Sequence, residues 1–120
     1  DVTVRMTVYA FENGQLNYYV SYSDYPPRTF DRLSRDQAYV NVINATLANV
    51  KGRKEREADV KLGDVTGREV LIDVPAQHAT MRERLFLVGN RLYQVVYGGP
   101  PGSANAKPAL DFLNSFKLLP

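Results

Sequence analysis

The chain has 120 residues, of which 44% are apolar and 23% charged, and its 15 basic and 13 acidic residues leave a net charge of +2. That length and balance fit one globular domain, residues 1–120, with one core, and exclude a strong sequence-independent attraction to nucleic-acid phosphates or anionic lipid. The absence of cysteine excludes disulfides, thiolate metal sites and thiol nucleophiles. No apolar run approaches the roughly 20 residues of a membrane span, so no insertion of this segment is expected. The chain begins at Asp1 and enters a strand pattern at Val2, which reads as a mature or excised piece.

Val2–Phe11 and Leu16–Ser23 are rich in β-branched and aromatic residues and are separated by Glu12-Asn13-Gly14-Gln15. The Asn-Gly centre suits a type I′ turn, so a hairpin is expected with Glu12 opposite Gln15 and Tyr9 opposite Tyr18. Asp24–Leu33 holds Tyr25-Pro26-Pro27 and is a crossover loop, because proline lacks the ladder donor. Ser34 precedes Gln37 by three, a capping-box spacing, and Tyr39, Ile43, Leu47 and Val50 recur at helical intervals. A helix over 35–51 follows, with Gly52 as its left-handed stop.

After the charged stretch Lys51–Glu57, strands are expected at Ala58–Leu62 and Arg68–Val74, joined through Gly63-Asp64-Val65-Thr66-Gly67. Thr80–Val88 and Arg91–Tyr97 make a third hairpin about Gly89-Asn90, whose first-position glycine suits type II′. With Val88 facing Arg91, one side carries Arg82, Arg84, Phe86, Tyr93, Val95 and Tyr97. The other carries Glu83, Leu85, Leu87, Leu92, Gln94 and Val96. Gly98–Gly102, with two prolines, breaks the sheet. Ser103 or Asn105 can cap a last helix that tolerates Pro108 in its first turn and buries Ala109, Leu113 and Phe116. The fold class predicted is α+β, a single antiparallel sheet of about six strands flanked by helices on both faces, an α/β/α sandwich of order ββαββββα.

The exit Tyr18-Tyr19-Val20-Ser21-Tyr22-Ser23-Asp24-Tyr25-Pro26, the strand start Gly67-Arg68-Glu69, the strand Arg91-Leu92-Tyr93-Gln94 and the closing Phe112-Leu113-Asn114-Ser115-Phe116-Lys117 resemble bacterial domains of the PsbP-like group. That group shares its α/β/α sandwich with the PsbP subunit of photosystem II and the Mog-type Ran-binding protein. The resemblance covers nearly the whole chain and rests on structural punctuation rather than chemistry. It implies a binding or assembly module, exported in the periplasm, lipid-anchored or secreted. Domains of this look begin with one more strand, so an open sheet edge is expected here, defended in part by Arg5 and Thr7.

The search for chemistry is mostly negative. His78 is the sole histidine, in a loop with Asp73 five residues upstream, and the residues place no second ligand or nucleophile beside it. Asp24, Asp31, Asp36 and Asp64 are dispersed at turns and caps and spell no calcium loop. Gly98-Gly99-Pro100-Pro101-Gly102 lacks the Gly-Lys-Ser/Thr ending of a phosphate loop. The sequon Asn44-Ala45-Thr46 falls inside the predicted helix. No metal or cofactor and no catalytic residue is expected.

Two surfaces could bind. Arg82 and Arg84 could stack on Tyr93 and Tyr97 and present donors to an anion; the alternative is that their stems pack beneath the last helix. Tyr22, Tyr25 and Arg28 on the tyrosine/proline loop could dock a protein; the alternative is a tyrosine folded back on the sheet. The leading reading is a non-catalytic protein-interaction domain. A self-assembling subunit using strand addition at the open edge is the second. A binder or hydrolase of a small anionic ligand, using Arg82, Arg84 and His78, is the third.

Overall fold

A computed structural model describes the backbone of residues 5–13 and 16–118 and the side chains of residues 17–118. The elements are β1 (Arg5–Asn13), β2 (Leu16–Asp24), α1 (Arg35–Val50), β3 (Arg53–Leu62), β4 (Val65–Val74), β5 (Ala79–Val88), β6 (Arg91–Gly99) and α2 (Lys107–Ser115). All pairings are antiparallel, in the order β1-β2-β6-β5-β4-β3. This is an α+β fold, an antiparallel sheet with flanking helices.

Strict alternation divides the apolar residues between two cores. Val70, Ile72, Val74, Leu85, Leu87 and Leu92 face α1, which contributes Ala38, Tyr39 and Ile43. Phe86, Val95 and Tyr97 face the other way, against Ala104 and against Ala109 and Leu113 of α2. The central strands therefore carry large apolar side chains on both sides, which is why β4, β5 and β6 read as nearly continuous apolar runs.

The expected layer of about six strands between helices is corrected to five. Every sheet residue in the two described cores comes from β2, β6, β5, β4 and β3. β1 pairs with β2 along the backbone ladder. The physical reason is width: a helix about 10 Å across covers roughly two strands spaced about 4.8 Å apart, so one helix per face centres its packing on β4, β5 and β6, which hold the buried sheet residues of the two described cores.

Several boundaries also move. The first hairpin pairs Tyr9 with Val20 and Asn13 with Leu16, two residues from the expected register. A two-residue slip keeps every side chain on its face, so the apolar pattern could not have resolved it. Val2–Val4 and the turn residues Gly14 and Gln15 lie outside the described residues, as do the side chains of Arg5 and Thr7. β3 begins at Arg53 rather than Ala58, because an edge strand with a solvated face tolerates charge, and the expected five-residue link is a tight turn between Leu62 and Val65. Gly63 takes φ +58° there.

Helix α1 starts where Ser34 accepts the Gln37 N–H at 3.0 Å. Its left-handed stop is Lys51, φ 52°, rather than Gly52. Gly52 serves close approach instead, since a Cβ there would lie 2.5 Å from Ile72 Cγ2. α2 is preceded by a 3-10 turn, Ser103–Asn105, and neither residue caps it; Ala106 holds the cap position without a side-chain bond. The third hairpin keeps the expected register, Arg82 opposite Tyr97 and Val88 opposite Arg91, with positive φ at Gly89.

Candidate functional site

The residues expected to bind fall into three places. Arg82 and Arg84 lie on the α2 face as the register requires, but their heads are used internally. Arg82 donates to Glu69 Oε1 at 2.8 Å, to the Ala104 carbonyl at 3.2 Å and to Asn105 Oδ1 at 2.8 Å. Arg84 donates from Nε to Glu69 Oε2 at 2.6 Å and to Asn114 Oδ1 at 2.8 Å. Burial pushes the Glu69 carboxyl up, yet the hydrogen bonds from both arginines outweigh it and hold the carboxyl below the usual range. These groups tie β4 and β5 to the α2 layer. Tyr97 is 2% exposed, edge-on to Tyr18 at 5.3 Å.

Tyr25 folds back, packing edge-on to Phe30 at 5.3 Å, with its N–H on the Asn90 carbonyl at 2.8 Å. Arg28 stands in the left-handed region, φ 71°, at an exposed corner where it pairs with Asp31 at 3.4 Å. His78 is the exposed left-handed residue after the 3-10 turn Pro75–Gln77 and lines a cleft on the α1 side. Arg82 and Arg84 are on the opposite face, so these three residues do not share a site.

Tyr22 and Tyr93 come together with residues the sequence reading left out. β2 pairs with β6, setting Tyr22 beside Tyr93 with rings 6.3 Å apart, and Asp24 beside Arg91. The Arg91 guanidinium lies 4.1 Å over the Tyr22 ring. Asp24 holds it there with two bonds, Nε to Oδ1 at 2.6 Å and Nη2 to Oδ2 at 3.0 Å. The hydrogen bond to Asp24, then that to Tyr93, raises the Arg91 pKa and keeps it charged. Phe116 packs on Tyr93 at 5.6 Å and stacks on Phe86 at 6.1 Å, closing the patch on its α2 side. Guanidinium-on-aromatic stacking was expected on this face but on other arginines. Asp24 and Arg91 are 67 positions apart, and no local pattern joins them.

Apart from this patch, a cleft of about 660 Å³ lies on the α1 face. Its floor is Gly98, between Asn17 of β2 and Met81 of β5 in one row of the sheet. Tyr19, Val50, Val74 and Val96 form its walls. The adjoining row runs Tyr19, Val96, Glu83. Glu83 is 0% exposed, and Thr46 Oγ1 of α1 lies 3.5 Å from both of its oxygens. Burial pushes this carboxyl up to about 7. Burial, and then the Glu83 charge, push the Tyr19 hydroxyl up to about 12. The signal for Glu83 was visible as the one acid on the apolar side of the third hairpin.

Among the described residues no cluster of three or more histidine or acidic groups is placed to hold a metal, and no helix is long and apolar enough to cross a bilayer. No family model matches the chain, and no curated protein matches it at a significant level. Among solved structures it is similar to PA94 of Pseudomonas aeruginosa, a protein of unknown function for which a regulatory role has been suggested. The TM-score is 0.57 at 8% identity, over 100% of this chain and 85% of that one. At that identity the likeness concerns the fold alone.

Proposed function

We propose that the protein is a non-catalytic protein-interaction domain that docks its partner on the Tyr22–Arg91–Tyr93 patch. The observation that carries this reading is the guanidinium clamped by Asp24 over the Tyr22 ring. Tyrosine and arginine supply much of the energy of protein interfaces, and an arginine already held flat loses little side-chain entropy on docking. Its side chain is 42% exposed, and a guanidinium carries five N–H donors, more than Asp24 and Tyr93 take up, suited to a carbonyl or carboxylate of the partner.

Strand addition is the second reading; the edge expected for it is that of β1, whose side chains lie outside the described residues, and at the opposite edge, β3, it is the weaker reading. Seven of the ten β3 residues are charged and its register shifts between Lys54 and Arg56, two features that discourage edge pairing. Kinship with PsbP-like and Mog-type domains, and an extracytoplasmic setting, belong to the same proposal and are supported by the element order and the quoted motifs.

A photo-crosslinking phenylalanine analogue at Tyr93, introduced in the native host, tests the proposal. The expected result is one discrete crosslinked protein, lost when Tyr22→Ala and Arg91→Ala are combined. A crosslink that survives both substitutions, or that forms equally from a probe at Asp64, overturns it.

A further inference from the structure

The cleft over Gly98 opens where α1 ends at Val50 and β4 ends at Val74, over the row that sets Gly98 between Asn17 and Met81. Gly98 does not need positive φ, and a Cβ built on it meets ordinary contacts, Asn17 Cβ and the Thr80 carbonyl, both at 3.9 Å. Neither the backbone conformation nor the packing demands glycine here. Its effect is an open concavity of a size typical of small-molecule sites, about 300–1,000 Å³.

The lining is distinctive for what it leaves out. In a chain of which 23% is charged, no aspartate, glutamate, lysine or arginine is among the described residues around the cleft. Glu83, in the adjoining row, is 0% exposed and takes no part in the wall. An ion entering the cleft would give up its hydration with no opposite charge in the described wall to replace it, so both signs are disfavoured. The apolar surface comes from Tyr19, Val50, Val74, Met81 and Val96. Asn17 and Met81 lie two strand spacings apart, about 10 Å, so the gap over Gly98 admits a planar ring resting on the peptide group.

The polar groups stand at the rim. Asn17, Gln77 and His78 line the cleft, are exposed, and have side chains that no described residue engages in a hydrogen bond. Two carboxamides and an imidazole can each donate and accept, so they match a ligand edge that also does both. A mostly apolar concavity with a few hydrogen-bonding groups at one end is the usual build of a small-molecule site.

We propose that the Gly98 cleft binds an uncharged planar aromatic molecule with an amide-like edge, one that carries a donor beside an acceptor. The ring lies on Gly98 between Asn17 and Met81, with Tyr19 and Val96 at its inner end. The polar edge points outward to Asn17 and Gln77, with His78 beside them. This site is on the α1 face, away from the proposed docking patch, and stands or falls independently of it.

The test uses the full chain at pH 7.5 with four probes of one shape: neutral benzamide, anionic benzoate, cationic benzamidinium, and acetophenone, which accepts a hydrogen bond but cannot donate one. Binding is followed by NMR shifts of the Gly98 amide and the Met81 methyl. Benzamide should saturate both signals with a Kd of about millimolar, with the two ions about tenfold weaker or more and acetophenone about threefold weaker. Asn17→Leu combined with Gln77→Leu should bring benzamide to the affinity of acetophenone. Read at the Met81 methyl, Gly98→Val should fill the floor and abolish binding, and Gly98→Ala, whose added methyl meets only ordinary contacts, should weaken it. The proposal is overturned if benzamide leaves the Gly98 signal unmoved, if either ion binds as tightly as benzamide, if Gly98→Ala binds as tightly as the wild type, or if the Asn17/Gln77 double variant keeps the preference for benzamide over acetophenone.

Discussion

The Thr46 hydroxyl on α1 stands 3.5 Å from both carboxylate oxygens of Glu83 on β5, the one polar contact between the long helix and an acid buried at 0% exposure. Burial raises the folded pKa to about 7 from an ordinary 4.5, so between these values the folded state holds a proton that the unfolded chain has released. Stability therefore falls as pH rises from about 4.5 to about 7, by on the order of 3 kcal/mol, and is level above that. Glu83→Gln should flatten this slope and raise the urea midpoint at pH 8. A wild-type midpoint that climbs from pH 5 to pH 7 would contradict the assignment.

Glu69 has the opposite sign. Its carboxyl is held low by Arg82 and Arg84, so its contribution is present above about 4.5 and is lost as pH falls below it. Glu69→Ala strands two largely buried guanidinium groups and should cost about 3 kcal/mol in chemical denaturation, with Glu69→Gln recovering part of it. A loss below about 0.5 kcal/mol would show that Asn105, Asn114 and solvent suffice for the arginines.

Tyr39 seals the end of a ladder. The β4–β5 pairing stops at Arg68–Leu85, and beyond it the Tyr39 hydroxyl accepts the Leu87 N–H at 2.9 Å and donates to the Thr66 carbonyl at 3.3 Å. Tyr39→Phe leaves that buried N–H without an acceptor and should cost about 1–3 kcal/mol. Amide exchange at Leu87 should quicken more than at Leu85, which keeps its place in the ladder.

Gly67 sits where β4 crosses β5 closely. A Cβ there would lie 2.1 Å from the Leu85 carbonyl oxygen and 2.5 Å from Phe86 Cδ1, and backbone cannot yield as a side-chain tip does. Gly67→Ala should destabilise by about 2–3 kcal/mol, whereas Gly98→Ala should be close to neutral in a thermal melt.

At the proposed docking patch, a double-mutant cycle between Tyr22 and Arg91 should give a coupling of about 0.5–1 kcal/mol, the range of an exposed cation–ring contact. Arg91→Lys should lose most of it, because an ammonium cannot lie flat under two bonds from Asp24. A coupling retained in full by lysine would show that charge alone, without the stack, is what the patch offers.

What could be read from the residues alone was local. Ser34 and Gln37 mark the start of α1, Gly89 marks the third hairpin, and period-two alternation assigns Glu83 and Arg82 to opposite faces; each depends on neighbours within a few positions. The single acid among Leu85, Leu87, Leu92 and Val96 was legible in the same way, although its depth was not. The charge on Arg53–Glu57 hid an edge strand, since solvated edges carry loop-like composition.

Tertiary structure decided which strands meet and hence what the charged groups do. The β2–β6 pairing unites Asp24 with Arg91 and Tyr22 with Tyr93 across more than sixty positions, and the α2 layer turns Arg82 and Arg84 inward to Glu69. The row that sets Gly98 between Asn17 and Met81 opens the cleft. Periodicity determines the face a side chain takes, because that depends on its own backbone. Its partner depends on strand order and on helix width against sheet width, which belong to the whole assembly of elements.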